Sequence, residues 1–106
     1  MRTSTVLGLD ERESLARLGR TVRLARLRRN LSQDDFASRM GVSRSSVIAL
    51  EKGTPGVALG ILIKALTVLG YTERLGELLA NDPVGEEMEL AIGRKRAGQK
   101  DDVADF

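Results

Sequence analysis

The sequence predicts an all-α fold, and three observations carry that prediction. Only Phe36, Tyr71 and Phe106 are aromatic, no stretch alternates polar and β-branched residues, and apolar residues recur at steps of three and four along most of the chain. That step keeps side chains on one face of a helix. Leu15, Leu18, Val22 and Ala25 follow it, predicting helix one from Arg12 to Asn30, whose last residue tolerates the left-handed exit conformation. Ser32 then offers a capping oxygen. Asp34 and Asp35 stand in the dipole-positive first turn of a short second helix, with Phe36, Ala37 and Met40 as its buried stripe. Gly41 supplies the positive φ of a tight turn. Ser43 caps a third helix that turns Val47 and Leu50 inward and stops at Lys52-Gly53. Thr54-Pro55-Gly56 connects to a fourth helix with Leu59, Leu62, Leu66 and Leu69 on one face and Gly70 at its exit; Val57 and Ala58 make a poor cap for it. Thr72 caps an expected fifth helix with Leu75, Leu78 and Leu79 inside, closed by Asn81-Asp82-Pro83.

At 106 residues the chain has the length of one small domain and a tail. The expected organisation is an N-terminal arm over 1–11, the helical domain over 12–80 and a charged, mobile tail over 81–106. Within the tail, Met88 and Ile92 stand four apart, the spacing of a short amphipathic helix over 84–92 that is marginal without a surface to dock on. No run of about 20 apolar residues is present to cross a bilayer, and Met1 to Asp10 holds no apolar segment of signal-peptide length. A cytoplasmic protein with no membrane partner is expected. With no Cys and no His, the chain has no disulfide, no thiol nucleophile and few of the side chains that hold transition metals, so no metal and no cofactor is expected. Enzymatic chemistry is disfavoured as well. Asp34 and Asp35 are adjacent on a helix and face apart, and in Lys52-Gly53-Thr54-Pro55-Gly56 the lysine precedes the glycine, unlike a phosphate-binding loop.

Charge is segregated along the chain. Residues 1–53 hold eleven Lys and Arg against six Asp and Glu, a net of +5, and residues 54–106 hold six against nine, a net of −3. The first half attracts phosphate and the second does not, which suggests two surfaces with different partners. The basic half contains Leu31 to Gly53, LSQDDFASRMGVSRSSVIALEKG, whose spacing has a mechanical logic. Ala37 has no bulk beyond Cβ and lets the next helix cross closely, Gly41 makes the turn, and Val47 and Leu50 anchor the crossing helix so that its other face points outward. That face is small and polar at its N-terminal end, with Arg44, Ser45 and Ser46, and suits a major groove about 12 Å wide.

On these residues, together with Leu31-Ser32-Gln33 at the entry to helix two and Leu50-Glu51-Lys52-Gly53 at the exit of helix three, the chain resembles the Xre, or lambda-repressor-like, helix-turn-helix family over roughly residues 12–80. The resemblance implies a five-helix DNA-binding domain. It implies that Ser43, Arg44, Ser45 and Ile48 or Ala49 lie at or near base edges, that Gln33 serves the backbone contact of helix two, and that Arg26 and Glu51 form a structural ion pair. Among the base-edge residues Arg44 is the strongest candidate, since a guanidinium donates two parallel bonds to guanine O6 and N7, worth about 1–3 kcal/mol of discrimination. Ser45 and Ala49 read only shape or a thymine methyl. Phosphate contacts fall to Gln33, Ser43, Ser46, Arg39, Lys52 and Arg23; for Lys52 and Arg39 a solvated surface charge is the competing reading, and Ser43 serves as cap and contact together.

One such module reads few base pairs, so the expected partner is a double-stranded operator, an inverted repeat read by a homodimer on half-sites about 34 Å apart. Leu24 and Leu27 lie off the main stripe of helix one; together with Ile61, Ile63 and Leu79 they serve either core or dimer seam. GTPGVALGILIKAL and LGYTERLGELL are similar to HipB-type antitoxins, which implies an autorepressor, sited on the nucleoid, that binds a HipA-type serine/threonine kinase toxin. A stand-alone repressor without a toxin is the alternative. The tail admits two uses in turn: Phe106 anchoring on the toxin, or the cluster Arg94, Lys95, Arg96 and Lys100 lying along flanking DNA.

Overall fold

The structure, a computed structural model, describes residues 6–93. They form α1 (Leu9–Arg28), α2 (Gln33–Met40), α3 (Arg44–Glu51), α4 (Leu59–Leu69), a 3-10 segment (Thr72–Glu77) and α5 (Pro83–Gly93). Among these residues there is no strand, as the missing alternation predicts, and no helix long and apolar enough to cross a membrane. Phe106 and the cluster Arg94, Lys95, Arg96 and Lys100 lie outside the described residues.

The chain divides into two units at Leu75. In the first, Val22 of α1, Leu31, the α2 stripe Phe36, Ala37 and Met40, Val47 and Leu50 of α3, and Ala65 and Leu69 of α4 make one core. Phe36, Val47 and Ala65 have no exposed surface at all. Local chemistry accounts for the turns between these helices. Asn30 has φ 60° and Gly41 φ 75°, both in the left-handed region expected at the exits of α1 and α2. Ser32 Oγ accepts the Asp35 N–H at 3.0 Å, capping α2. No side chain caps α4, whose N-cap is Ala58; it ends at Gly70 with φ 95°.

Four expectations are corrected. α1 begins at Leu9, inside the expected arm, because the Gly8 N–H donates to Glu11 Oε1 at 2.9 Å and the Arg12 N–H to the Gly8 carbonyl at 3.0 Å. On α4 the core takes Ala65 and Leu69, with Ile61, Leu62 and Val68 against it, and Leu59 is left 70% exposed. The expected fifth helix is a 3-10 segment; Thr72 Oγ1 donates to Thr67 Oγ1 at 3.1 Å and caps nothing, and Leu78 and Leu79 stand exposed. Finally, Asn81-Asp82-Pro83 starts a helix and does not close one, since the 3-10 segment has already ended at Glu77. Asp82 Oδ1 accepts the Gly85 N–H at 2.9 Å and Pro83 takes the first helical position, where its missing N–H costs nothing. The resulting α5 occupies part of the stretch read as tail, covers the 84–92 helix pattern, and buries none of its residues.

Candidate nucleic-acid interface

The placement of α3 is set by what holds its two ends. At its C-terminal end α1 crosses backbone to backbone. A Cβ on Gly19 would run into the Glu51 carbonyl oxygen and come within 2.9 Å of the Gly53 nitrogen; a Cβ on Gly53, whose φ is +74°, would come within 2.7 Å of the Leu15 carbonyl oxygen. The two glycines are therefore a matched crossing. Beside them Arg26 reaches Glu51 with two bonds, Nε to Oε2 at 2.6 Å and Nη2 to Oε1 at 3.0 Å, and its Nη1 donates to the Leu31 carbonyl at 2.8 Å. Arg26 is 5% and Glu51 8% exposed, so neither charge is left to water and each depends on the other. The pair that the resemblance implied is thus in contact, joining α1, the entry to α2 and the exit of α3.

Gln33 belongs to the same network. Its Nε2 donates to Glu51 Oε1 at 3.2 Å from a half-buried position at the start of α2. An amide nitrogen carries two hydrogens, so one remains for an acceptor outside the protein. The sequence links Gln33 to phosphate but gives no hint of its bond to Glu51, because that contact spans two helices.

At its N-terminal end α3 is capped by Ser43, whose Oγ accepts the Ser46 N–H at 3.2 Å. The same oxygen lies 3.1 Å from the hydroxyls of Ser45 and Ser46, so three hydroxyls cluster at the dipole-positive end of the helix. Arg44 and Ser45 are exposed there, and Ser46 is half-buried. One turn further on, Ile48 and Ala49 are also half-buried, while Val47 and Leu50 on the opposite face enter the core. The Arg44 side chain is 59% exposed; its nearest ionic partner is Asp34 at the start of α2, with Nε to Oδ1 at 3.8 Å.

The candidate phosphate residues are less tightly grouped. Lys52 is the exposed C-cap of α3 and Arg39 is exposed in the last turn of α2. Arg23 is exposed on α1, and no hydrogen bond or ion pair among the described residues links it to α2 or α3. Sequence reasoning misses Asp34 as the neighbour of Arg44, the Gly19 and Gly53 crossing, and Arg29, whose Nη2 donates to the Leu69 carbonyl at 3.0 Å and ties the exit of α1 to that of α4.

Comparison with known proteins agrees with this geometry. The family model described as helix-turn-helix matches residues 22–75, from the middle of α1 into the 3-10 segment. An uncharacterized HTH-type transcriptional regulator, y4mF, of Sinorhizobium fredii (strain NBRC 101917 / NGR234) is 36% identical over 55 residues, covering 52% of this chain and 72% of the relative. By the α2–turn–α3 geometry and by these matches, the chain belongs to the helix-turn-helix family.

Proposed function

We propose that the protein is a transcriptional repressor that binds double-stranded DNA by placing α3 in the major groove. The observation that carries the reading is the division of α3 between a core face, Val47 and Leu50, and an exposed N-terminal turn carrying Arg44 and three hydroxyls. Arg44 reads a guanine, Ser45, Ile48 and Ala49 lie along the base edges, and Ser43, Ser46, Gln33, Arg39, Lys52 and Arg23 hold phosphates. The name of the S. fredii relative, a transcriptional regulator, supports the same role. A module with one eight-residue reading helix contacts few bases, so the protein acts as a homodimer on an inverted repeat.

The further proposal, that it is an autorepressing antitoxin partnered by a HipA-type kinase, is supported by the similarity of residues 53–79 to HipB-type sequences and by the acidic second half of the chain. Selection of duplexes from a random pool by the full chain tests the first part: enrichment of an inverted repeat is expected, and no enrichment refutes it. Co-purification from the native host tests the second. A kinase-like protein in near-stoichiometric amount is expected, and recovery of promoter DNA alone leaves a stand-alone repressor.

A further inference from the structure

Asp34 is an exposed carboxylate beside the helix proposed to enter DNA, where a fixed negative charge opposes every phosphate nearby. It is the second residue of α2, in the first turn of that helix. Its cation is Arg44, the first residue of α3. The 3.8 Å between Oδ1 and Nε is beyond a hydrogen bond, the two side chains are 74% and 59% exposed, and Arg44 donates no hydrogen bond to any described residue. The guanidinium is attracted without being clamped, and its donors remain free. Adjacent Asp35 has no cation within ion-pairing distance among the described residues, so the pairing is particular to Asp34.

We propose that Asp34 is a specificity determinant that acts through Arg44. The proposal rests on the DNA-binding reading above and adds a residue to it. An arginine on a reading helix has two kinds of DNA partner: any phosphate, which carries no sequence information, and guanine, which accepts two parallel bonds at O6 and N7. An exposed ion pair is weak enough to yield to the second, yet it competes with the first, because a phosphate taken by Arg44 must share the guanidinium with the Asp34 charge. Asp34 thus lowers the value of the uninformative contact more than that of the base contact. Discrimination arises by penalising the wrong complex.

The test uses the full chain, a duplex of about 20 base pairs that it enriches from a random pool, and a scrambled duplex of the same composition. Asp34→Asn is expected to tighten binding to the scrambled duplex about five-fold, to leave the enriched duplex within about two-fold, and to steepen the salt dependence on the scrambled duplex by about one unit, as one more phosphate is engaged. In the Arg44→Ala background, Asp34→Asn is expected to change the two duplexes by the same factor. Asp35→Asn is expected to do so in the native background. Equal changes on both duplexes for Asp34→Asn, or a narrowed ratio that persists without Arg44, would overturn the role of Asp34 and leave DNA binding standing. Failure of the unaltered chain to enrich any duplex would overturn the DNA-binding reading, and this inference with it.

Discussion

The carboxylate of Glu51 collects three donors, two from Arg26 and one from Gln33, at a site where neither charge meets water. A buried pair of this kind adds little when compared with a well-packed apolar substitute, yet removing one partner strands the other. Glu51→Ala is therefore expected to lower the unfolding free energy by about 3–5 kcal/mol, measured in urea melts, because the Arg26 charge then has no counter-ion. An unchanged midpoint would contradict the network. The exposed residues of the reading face predict the opposite pattern. Arg44→Ala is expected to leave the melting transition in place and to cost about 1–3 kcal/mol on the preferred duplex, with preference relaxed at one base pair per half-site. Lys52→Ala is expected to weaken all duplexes alike and to lower the slope of log K against log salt by about one unit. Titrations of both variants across salt concentrations separate the two kinds of contact.

At the scale of the elements, α3 is held by a glycine crossing at one end and a serine cap at the other. Gly19→Ala places a methyl against backbone atoms of Glu51 and Gly53, which cannot rotate away as a side chain would. The expected cost is about 1–3 kcal/mol of stability, from overpacking, accompanied by weaker DNA binding as α3 is pushed outward. A variant that melts like the native protein would show that the crossing has slack. The caps and turns were legible in the sequence, since Ser32, Ser43, Gly41, Asn30 and Gly70 act through their own or adjacent backbone. The crossing was not legible: a glycine in mid-helix signals only lost helix propensity until the helix that crosses it is known. Leu59 and the 3-10 segment depart from expectation for a related reason. Periodicity shows that leucines share a face, but the neighbours that cover the face decide how far along the helix the core extends.

Over the whole molecule, the candidate site, Arg23 of α1 apart, joins residues that the sequence supplies in one continuous motif, Gln33 to Lys52, and this is why so much of it was legible. Its supports, Arg26 and Gly19, come from a helix earlier in the chain; the first was identified by resemblance and the second only by the fold. The separation of charge makes electrostatics a property of the complete chain. The net +5 of residues 1–53 draws the first half toward phosphate, whereas residues 54–106, at net −3, do not share that attraction. Among the second-half residues, α5 presents Val84, Met88 and Ile92 together with Glu86, Glu87 and Glu89, and none of them is buried. The proposed reading of guanine by Arg44 of α3 is checked by methylating guanine N7 in the enriched duplex, since that atom lies in the major groove. Methylation at one guanine per half-site is expected to block binding of the native chain and to be without effect on the Arg44→Ala variant. Methylation that blocks neither protein, or both equally at every guanine, would contradict it.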